Sequence, residues 1–117
     1  MKILLADDDD AIVKLVRRLM ESLGHEVVTA QNGMDALKLG MDGCFDLCIL
    51  DVKMPRLDGY SLCRSITRKF PSCKVILITG LDVNKYEAMA KASGASGTIA
   101  KPFDALQFKT WIESFLA

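Results

Sequence analysis

The chain carries acidic residues, a threonine and a lysine directly after short apolar segments. Asp7–Asp10 follow the first such segment, Asp51 follows the third, and Thr79 and Lys101 follow the last two. Three carboxylates within a few ångströms of one another would repel, and one would take up a proton unless a cation intervened. Mg²⁺ suits oxygen ligands of this kind and needs few protein donors. An aspartate nucleophile beside Mg²⁺, a lysine and a hydroxyl is the equipment for phosphoryl transfer to a carboxylate.

The elements that must position these residues alternate along the chain. Apolar runs predict five strands, over residues 2–6, 25–30, 46–50, 74–78 and 98–100. Helical spacing, with breakers such as Gly40 and Pro71, predicts five helices, over residues 10–23, 34–39, 59–70, 83–93 and 104–116. Strands that are apolar almost throughout and alternate with helices predict a parallel sheet covered on both faces. We therefore expect an α/β fold with an open, doubly wound sheet, because a barrel would need eight such units.

Functional groups of an open parallel sheet gather beyond the carboxyl ends of its strands. Four of the five predicted strand ends carry such a group, namely Asp7 and Asp8, Asp51, Thr79 and Lys101. Each residue alone could be a helix cap or a surface group, but their joint placement predicts one site at one edge of the sheet. Asp9 and Asp10 are expected instead to begin the first helix, where acids accept from free amides and meet the helix dipole.

Composition indicates a single globular domain. The chain has 117 residues, expected to form one domain over 1–117, and 50% of them are hydrophobic. Fifteen basic residues balance fifteen acidic ones, which argues against binding to nucleic acid or to a membrane surface through bulk positive charge. The apolar runs fall far short of the ~20 residues of a membrane helix. Met1 and Lys2 open no signal-peptide pattern, so we expect a cytoplasmic protein.

The four cysteines fit that location. Cys44, Cys48, Cys63 and Cys73 are expected to be small buried residues in a reducing compartment, because a chain of this composition needs no disulfides to fold. Cys44 and Cys48 have a spacing that suggests zinc ligands. A strand would separate them by roughly 13 Å, which is too far for one tetrahedral ion.

Four stretches of the sequence resemble the signature blocks of bacterial two-component response-regulator receiver domains. They are ILLADDDD, CILDVKMPRLDGYSL, VILITG and GTIAKPF. The resemblance covers essentially the whole chain and needs no large insertion. It implies a flavodoxin-like fold, in which a five-stranded parallel sheet of order 2-1-3-4-5 is flanked by five helices.

The resemblance also implies roles for the residues at the strand ends. Asp51 would be the phosphoacceptor, Thr79 would hydrogen-bond the phosphoryl group, and Lys101 would form an ion pair with it. The implied cofactor is Mg²⁺, bound directly by Asp8 and Asp51, mainly through water by Asp7, and by the backbone carbonyl of Lys53. A cis peptide bond between Lys101 and Pro102 would point the lysine into the site.

One position departs from the family pattern, and two others are positions that, in the family, tune how water reaches the acyl phosphate. The switch position three residues before Lys101 usually holds Tyr or Phe but holds Thr98 here, so a rotating ring is unavailable for activation. Leu81, two residues after Thr79, offers no hydrogen bond to an attacking water, which predicts slow hydrolysis of the acyl phosphate. Lys53, two residues after Asp51, would either orient or block a phosphatase partner.

The expected function is signal transduction rather than conventional enzyme catalysis. Asp51 would take a phosphoryl group from a phosphohistidine on a sensor histidine kinase or a phosphotransfer protein, and would lose it slowly by autodephosphorylation. The added charge would bias residues 80–84 and the surface of helix 4, strand 5 and helix 5. That surface would bind an output domain or protein, or a second copy after phosphorylation. Its expected contact residues are Leu106, Trp111, Tyr86 and Lys91, although Trp111 and Tyr86 could equally be half-buried packing residues.

Three other functions fit the residues less well. An aspartate-nucleophile phosphatase would need a second aspartate where Lys53 stands. A flavin-binding module would need a phosphate-binding loop where Asp7–Asp10 would repel phosphate. A phosphorylation-independent interaction module with a receiver fold is opposed by the intact set of polar groups, although Thr98 leaves room for it. The sequence leaves open whether the receiver stands alone or belongs to a longer regulator.

Overall fold

The computed structural model describes residues 1–43, 45–80 and 87–116. The five strands are β1 (Lys2–Ala6), β2 (Glu26–Ala30), β3 (Leu47–Asp51), β4 (Lys74–Thr79) and β5 (Gly97–Ala100). The five helices are α1 (Asp10–Ser22), α2 (Gly33–Asp42), α3 (Gly59–Lys69), α4 (Glu87–Ala92) and α5 (Ala105–Leu116). The predicted fourth helix over 83–93 includes residues 83–86, which lie outside the described residues.

The strands form one parallel sheet in the order β2-β1-β3-β4-β5, which confirms the predicted topology. The central strand β3 is buried along its whole length. Alternate side chains of the strands supply two hydrophobic clusters, one on each face of the sheet, because successive side chains of a strand point to opposite faces. Residues of α2 and α3 pack into one cluster, and residues of α1 and α5 pack into the other.

The register of the ladder explains why the polar groups meet. Ala6 pairs with Leu50, so Asp7 and Asp51 both follow directly from that pair on adjacent strands. On the other side of β3 within the sheet, Thr79 of β4 pairs with Ala100 of β5, and Lys101 is the next residue. Parallel strands end on the same side, so all four residues reach one edge.

Acidic residues stand at the start of several helices, among them α1 and α5, as their local chemistry predicts. The Asp9 carboxylate accepts hydrogen bonds from the amides of Ala11 at 3.0 Å and Ile12 at 3.4 Å, and Asp10 is the first residue of α1. This confirms that Asp9 and Asp10 belong to the start of the helix. At α5, Asp104 and Gln107 exchange side-chain and backbone hydrogen bonds of 2.8 and 3.0 Å, which satisfies two free amides.

The prediction that Gly40 ends the second helix is wrong. Helix α2 continues through Gly40 to Asp42, and Gly43 is its C-cap. A methyl group at Gly40 would lie 3.0 Å from Ile66 Cδ1, so the glycine allows α2 and α3 to approach closely rather than ending a helix. Among the described residues, no helix combines the length and apolar character needed to cross a bilayer.

Candidate functional site

Three carboxylates converge at the carboxyl ends of β1 and β3. Asp7 and Asp51 are buried, with 0% and 5% of their surface exposed, whereas Asp8 is exposed. One oxygen from each of the three residues lies within 4.8 Å of the other two. The sequence-predicted cluster of Asp7, Asp8 and Asp51 therefore exists as a compact acidic group, open to solvent on the side of Asp8.

Lys101 lies against this group from the end of β5. Its Nζ atom is 3.0 Å from Asp7 Oδ2 and 3.3 Å from Asp51 Oδ2. Its backbone N–H donates to the Thr79 carbonyl at 2.8 Å, and its peptide bond to Pro102 is cis, as the resemblance implies. The lysine is thus held to β4 by its backbone while its side chain reaches across to two carboxylates.

Burial and repulsion shift the titration of Asp51. Burial raises its pKa most, the neighbouring Asp7 charge raises it further, and Lys101 and the Lys53 N–H offset part of the effect, so that the pKa is about 6. For Lys101, burial acts to lower the pKa, but the contacts with Asp7 and Asp51 outweigh it and raise the pKa. At neutral pH the site therefore holds a charged lysine beside an Asp51 carboxylate that is mostly ionised.

The donor set fits a hard divalent cation. Asp7 Oδ1 accepts from the Asp9 amide at 2.9 Å, but the buried Asp7 Oδ2 has no aligned hydrogen-bond donor in the described part of the chain, only its ion pair with Lys101. Lys101 pairs with this oxygen, but one ammonium group offsets only part of the charge of three neighbouring carboxylates. Two further carboxylates stand within reach, and oxygen-only ligands are the preference of Mg²⁺.

Lys53 contacts Asp51, and Thr79 ends the neighbouring strand β4. Thr79 is buried at the end of β4, with 3% of its surface exposed. The Lys53 N–H donates to Asp51 Oδ1 at 3.3 Å, while its side chain is exposed. An open pocket of about 530 Å³ lies in front of Asp51, lined by Asp8, Asp51, Lys53, Met54, Pro55, Gly80 and Lys101. Asp51 is therefore reachable by a small group from solvent although most of its side chain is covered.

The remaining predicted residues lie away from the acidic group or outside the described residues. Thr98 is partly buried on β5 and lines a separate groove of about 200 Å³ with residues of α4, including Glu87 and Lys91. Leu106 is 73% exposed on α5, and Trp111 is half-buried, with its ring 6.4 Å from that of Phe103. Leu81, Tyr86 and the predicted 80–84 loop beyond Gly80 lie outside the described residues.

Sequence reasoning missed a close contact that supports the site. The Gly33 amide donates to the Pro55 carbonyl at 3.3 Å, and a methyl group at Gly33 would lie 2.1 Å from the Leu57 carbonyl oxygen. The first turn of α2 thus packs directly on the loop that follows Asp51. In that loop Arg56 has a φ of 74°, a left-handed conformation for which its residue type gives no signal.

Comparison with known proteins places the chain among signalling domains. Residues 3–113 match the response regulator receiver domain. A probable transcriptional regulator, ycf27, of Cyanidium caldarium is 37% identical over 114 residues, which are 97% of this chain and 45% of that protein. The chain spans about half the length of the curated relatives it matches.

Solved structures give the same result for the fold. The chemotaxis response regulator CheY4 of Vibrio cholerae superposes with a TM-score of 0.91 at 27% identity, over 97% of each chain. The BeF3-activated receiver domain of DrrB, an OmpR/PhoB homologue of Thermotoga maritima, superposes with a TM-score of 0.87 at 32% identity, over 98% of this chain and 96% of that one.

Proposed function

Because this chain belongs to the response regulator receiver domain family of two-component systems, we propose that Asp51 is its phosphoacceptor. The observation that carries the proposal is the position of the Asp51 carboxylate, which lies 3.3 Å from Lys101 Nζ and lines the open pocket. With a pKa of about 6, the carboxylate is mostly ionised at neutral pH and can act as a nucleophile.

The proposed reaction is transfer of a phosphoryl group from a phosphohistidine. An Asp51 oxygen forms a bond to phosphorus, and the bond from phosphorus to the histidine nitrogen breaks. Lys101, already charged and beside Asp51, pairs with the incoming phosphoryl oxygens, and the Thr79 hydroxyl donates a hydrogen bond to them. These two groups stabilise charge that grows as the transfer proceeds.

The proposed cofactor is Mg²⁺. Asp7, Asp8 and Asp51 would hold it, together with the backbone carbonyl of Lys53. When bound, it would neutralise the charge that the phosphoryl group brings next to three carboxylates. Support comes from the convergence of three carboxylates, of which Asp7 and Asp51 share the ammonium group of Lys101.

Phosphorylation is proposed to change the surface formed by α4, β5 and α5. A phosphoryl group adds roughly two negative charges at the end of β3, and Thr79 and Lys101 would move towards it. Lys101 follows β5 directly, so its displacement would reach that surface through the chain. Leu106, Trp111 and Lys91 are the proposed contact residues for an output domain, an output protein or a second copy. Thr98 has no aromatic ring that could rotate as a switch, so we propose that the groove it lines changes shape on activation instead.

The wider role is proposed from the family. The partner would be a sensor histidine kinase or a phosphotransfer protein in the cytoplasm, and the chain would serve as one receiver domain over 1–117. It would act as a phosphorylated switch rather than as an enzyme that turns over a separate substrate. Its autodephosphorylation would be slow, because Leu81 offers no hydrogen bond to an attacking water. Relatives of about twice its length are named transcriptional regulators, which supports an output that controls transcription.

A phosphorylation assay tests the proposed function. The protein is incubated with a small acyl phosphate and Mg²⁺ and is then weighed by mass spectrometry, beside the Asp51→Asn variant. The parent is expected to gain one phosphoryl group, to gain much less when EDTA is present, and to lose the group slowly. An Asp51→Asn variant that gains the group as readily as the parent would overturn the assignment.

A further inference from the structure

Cys48 and Cys73 bring their sulfur atoms into contact in the hydrophobic cluster that α3 covers. The two Sγ atoms are 3.6 Å apart, and the residues are 0% and 6% exposed. Both are free thiols. An S–S bond is about 2.05 Å long, so the sulfur atoms need to approach by only about 1.5 Å to become bonded. The phosphoacceptor site makes no use of this pair.

We propose that Cys48 and Cys73 form a dithiol that a peroxide oxidises to an intramolecular disulfide. This would be a second covalent modification of the domain, separate from phosphorylation of Asp51. The bond would join β3 to the start of β4 and would close a loop that contains Asp51 and the whole of α3.

The positions of the two residues in the chain allow the sulfur atoms to close the gap. Cys48 is fixed within β3, where it pairs with Val75. Cys73 precedes β4, because the ladder between the strands begins at the pair Leu47 and Lys74. Its amide is bonded to the Phe70 carbonyl at 3.0 Å in a turn, so Cys73 can shift without breaking a hydrogen bond of the ladder.

The same turn gives an oxidant its route to the pair. Pro71 and Ser72, which precede Cys73, are exposed, and so is Lys74, which follows it. Cys73 is thus the member of the pair nearer to solvent, whereas Cys48 is fully enclosed. A small opening of the turn would admit a molecule of the size of hydrogen peroxide.

The position of Cys73 beside the exposed turn, together with its hydrogen bond to Cys48, favours Cys73 as the first sulfur to react. The hydrogen bond with Cys48 lowers the pKa of Cys73 and outweighs the effect of burial. The same hydrogen bond, together with burial, raises the pKa of Cys48. Cys73 is therefore the first of the two to ionise, and the thiolate is the form that attacks a peroxide.

The reaction balances with one peroxide. The Cys73 thiolate attacks one peroxide oxygen, the O–O bond breaks, and the sulfur becomes a sulfenic acid while hydroxide takes a proton and leaves as water. Cys48 sulfur then attacks Cys73 Sγ, the sulfur–oxygen bond breaks, and the departing hydroxide takes the Cys48 proton to form a second water. The two thiols lose two electrons and two protons, and the peroxide is reduced to two waters.

Cys63 provides a matched control within the same cluster. It is buried like Cys48, with 0% of its surface exposed, but its thiol donates to the Ser93 carbonyl at 3.3 Å. Its hydrogen-bond partner is thus a backbone carbonyl after α4, whereas Cys48 and Cys73 are partners of each other. Replacing Cys63 by serine should therefore leave the proposed disulfide intact.

The test treats the reduced full chain with hydrogen peroxide and analyses it without reductant. The mass should fall by about 2 Da relative to the reduced chain, and Tm should rise by about 5–10 °C and return on reduction. Digestion with trypsin and a protease that cleaves before aspartate separates Cys44 from Cys48 at Asp46, so the linked peptides identify the pair. The expected link is Cys48 to Cys73.

Three variants complete the test. Cys63→Ser and Asp51→Asn should form the link to the same extent as the parent, and Cys73→Ser should lose both the link and the rise in Tm. The proposal is overturned if the parent forms no linked peptide, if the link includes Cys44 or Cys63, or if the bond joins two separate chains. The linked peptides come from the parent chain, so this outcome does not depend on the folding of any variant.

Discussion

Lys101 Nζ lies 3.0 Å from Asp7 Oδ2, a buried oxygen that has no aligned hydrogen-bond donor in the described part of the chain. The same ammonium group is 3.3 Å from Asp51 Oδ2, so one cation is shared between two buried carboxylates. Asp8 adds a third carboxylate within 4.8 Å. The site is short of positive charge, and this shortage links the stability of the fold to metal binding and to phosphorylation.

Replacing Lys101 by methionine should destabilise the metal-free protein. The change leaves Asp7 and Asp51 without their shared cation, and we expect the free energy of unfolding at pH 8 to fall by about 1–3 kcal/mol, as for a partly buried ion pair that loses one partner. The pKa of Asp51 should rise further, because Lys101 lowers it. Urea denaturation in EDTA measures the fall in the free energy of unfolding.

Lys91→Met is the control, because its ion pair with Glu87 at 3.4 Å is exposed and should contribute at most about 0.5 kcal/mol. Equal losses in the two variants would contradict the prediction.

Replacing Asp51 by asparagine should stabilise the metal-free protein at pH 8. The folded-state pKa of Asp51, about 6, lies above its ordinary value of 3.8, so its ionised form opposes folding. Removing that charge should raise the free energy of unfolding by about 1–2 kcal/mol after allowance for solvent screening.

The raised pKa of Asp51 also determines how the added stability of Asp51→Asn depends on pH. The parent becomes more stable as the pH falls through about 6 towards 4, because the folded chain binds a proton at Asp51 more tightly than the unfolded chain does. The advantage of Asp51→Asn should therefore be complete above about pH 7 and shrink below pH 6. Denaturation at several pH values checks this, with the exposed Glu26→Gln variant as a control. An advantage that grows as the pH falls would refute the electrostatic cause.

Mg²⁺ should stabilise the folded protein in a way that requires Asp8. A ligand present at about ten times its Kd contributes about 1.4 kcal/mol, or roughly 5 °C in Tm for a domain of this size. Asp8 is exposed, so Asp8→Asn should leave the metal-free Tm almost unchanged but should remove most of the rise with Mg²⁺. Calorimetry with and without EDTA separates the two effects. A full Mg²⁺ response in Asp8→Asn would mean that the ion binds elsewhere.

Much of this site could be predicted from the sequence because its residues are placed by register. Asp7, Asp51, Thr79 and Lys101 each end or directly follow a parallel strand, and parallel strands end at the same edge. The topology and the acidic group followed from that rule and from the family resemblance. Ion-pair distances did not, because they depend on how far Lys101 reaches across the sheet.

The contacts that depend on close packing could not be predicted. Gly40 has the residue type that usually ends a helix, yet it lies within the last turn of α2, where Ile66 of α3 needs the space. Gly33 has the residue type of a strand breaker, although it contacts the loop after Asp51. A single sequence gives no distance between residues that are remote in the chain, so such glycines cannot be told from ordinary breakers.

Replacing Gly33 by alanine should therefore be more damaging than replacing Gly40. At Gly33 the new methyl group would meet the Leu57 backbone at 2.1 Å, whereas at Gly40 it would meet the end of the Ile66 side chain at 3.0 Å. We expect a loss of about 2–4 kcal/mol for Gly33→Ala, because the backbone of Leu57 cannot move aside as a side chain can, and at most about 1 kcal/mol for Gly40→Ala, where a gain in helix propensity offsets part of the clash. Urea denaturation of the pair measures the difference. Similar losses would show that the loop after Asp51 can move freely.

Asp51 itself is proposed to carry the phosphoryl group. Borohydride reduces an aspartyl phosphate to homoserine, so treatment after phosphorylation marks the acceptor permanently, and peptide sequencing by mass spectrometry locates it. We expect homoserine at position 51 in the parent after incubation with an acyl phosphate and Mg²⁺, and none in Asp51→Asn. Homoserine at position 7 or 8 of the parent, with position 51 unchanged, would contradict it.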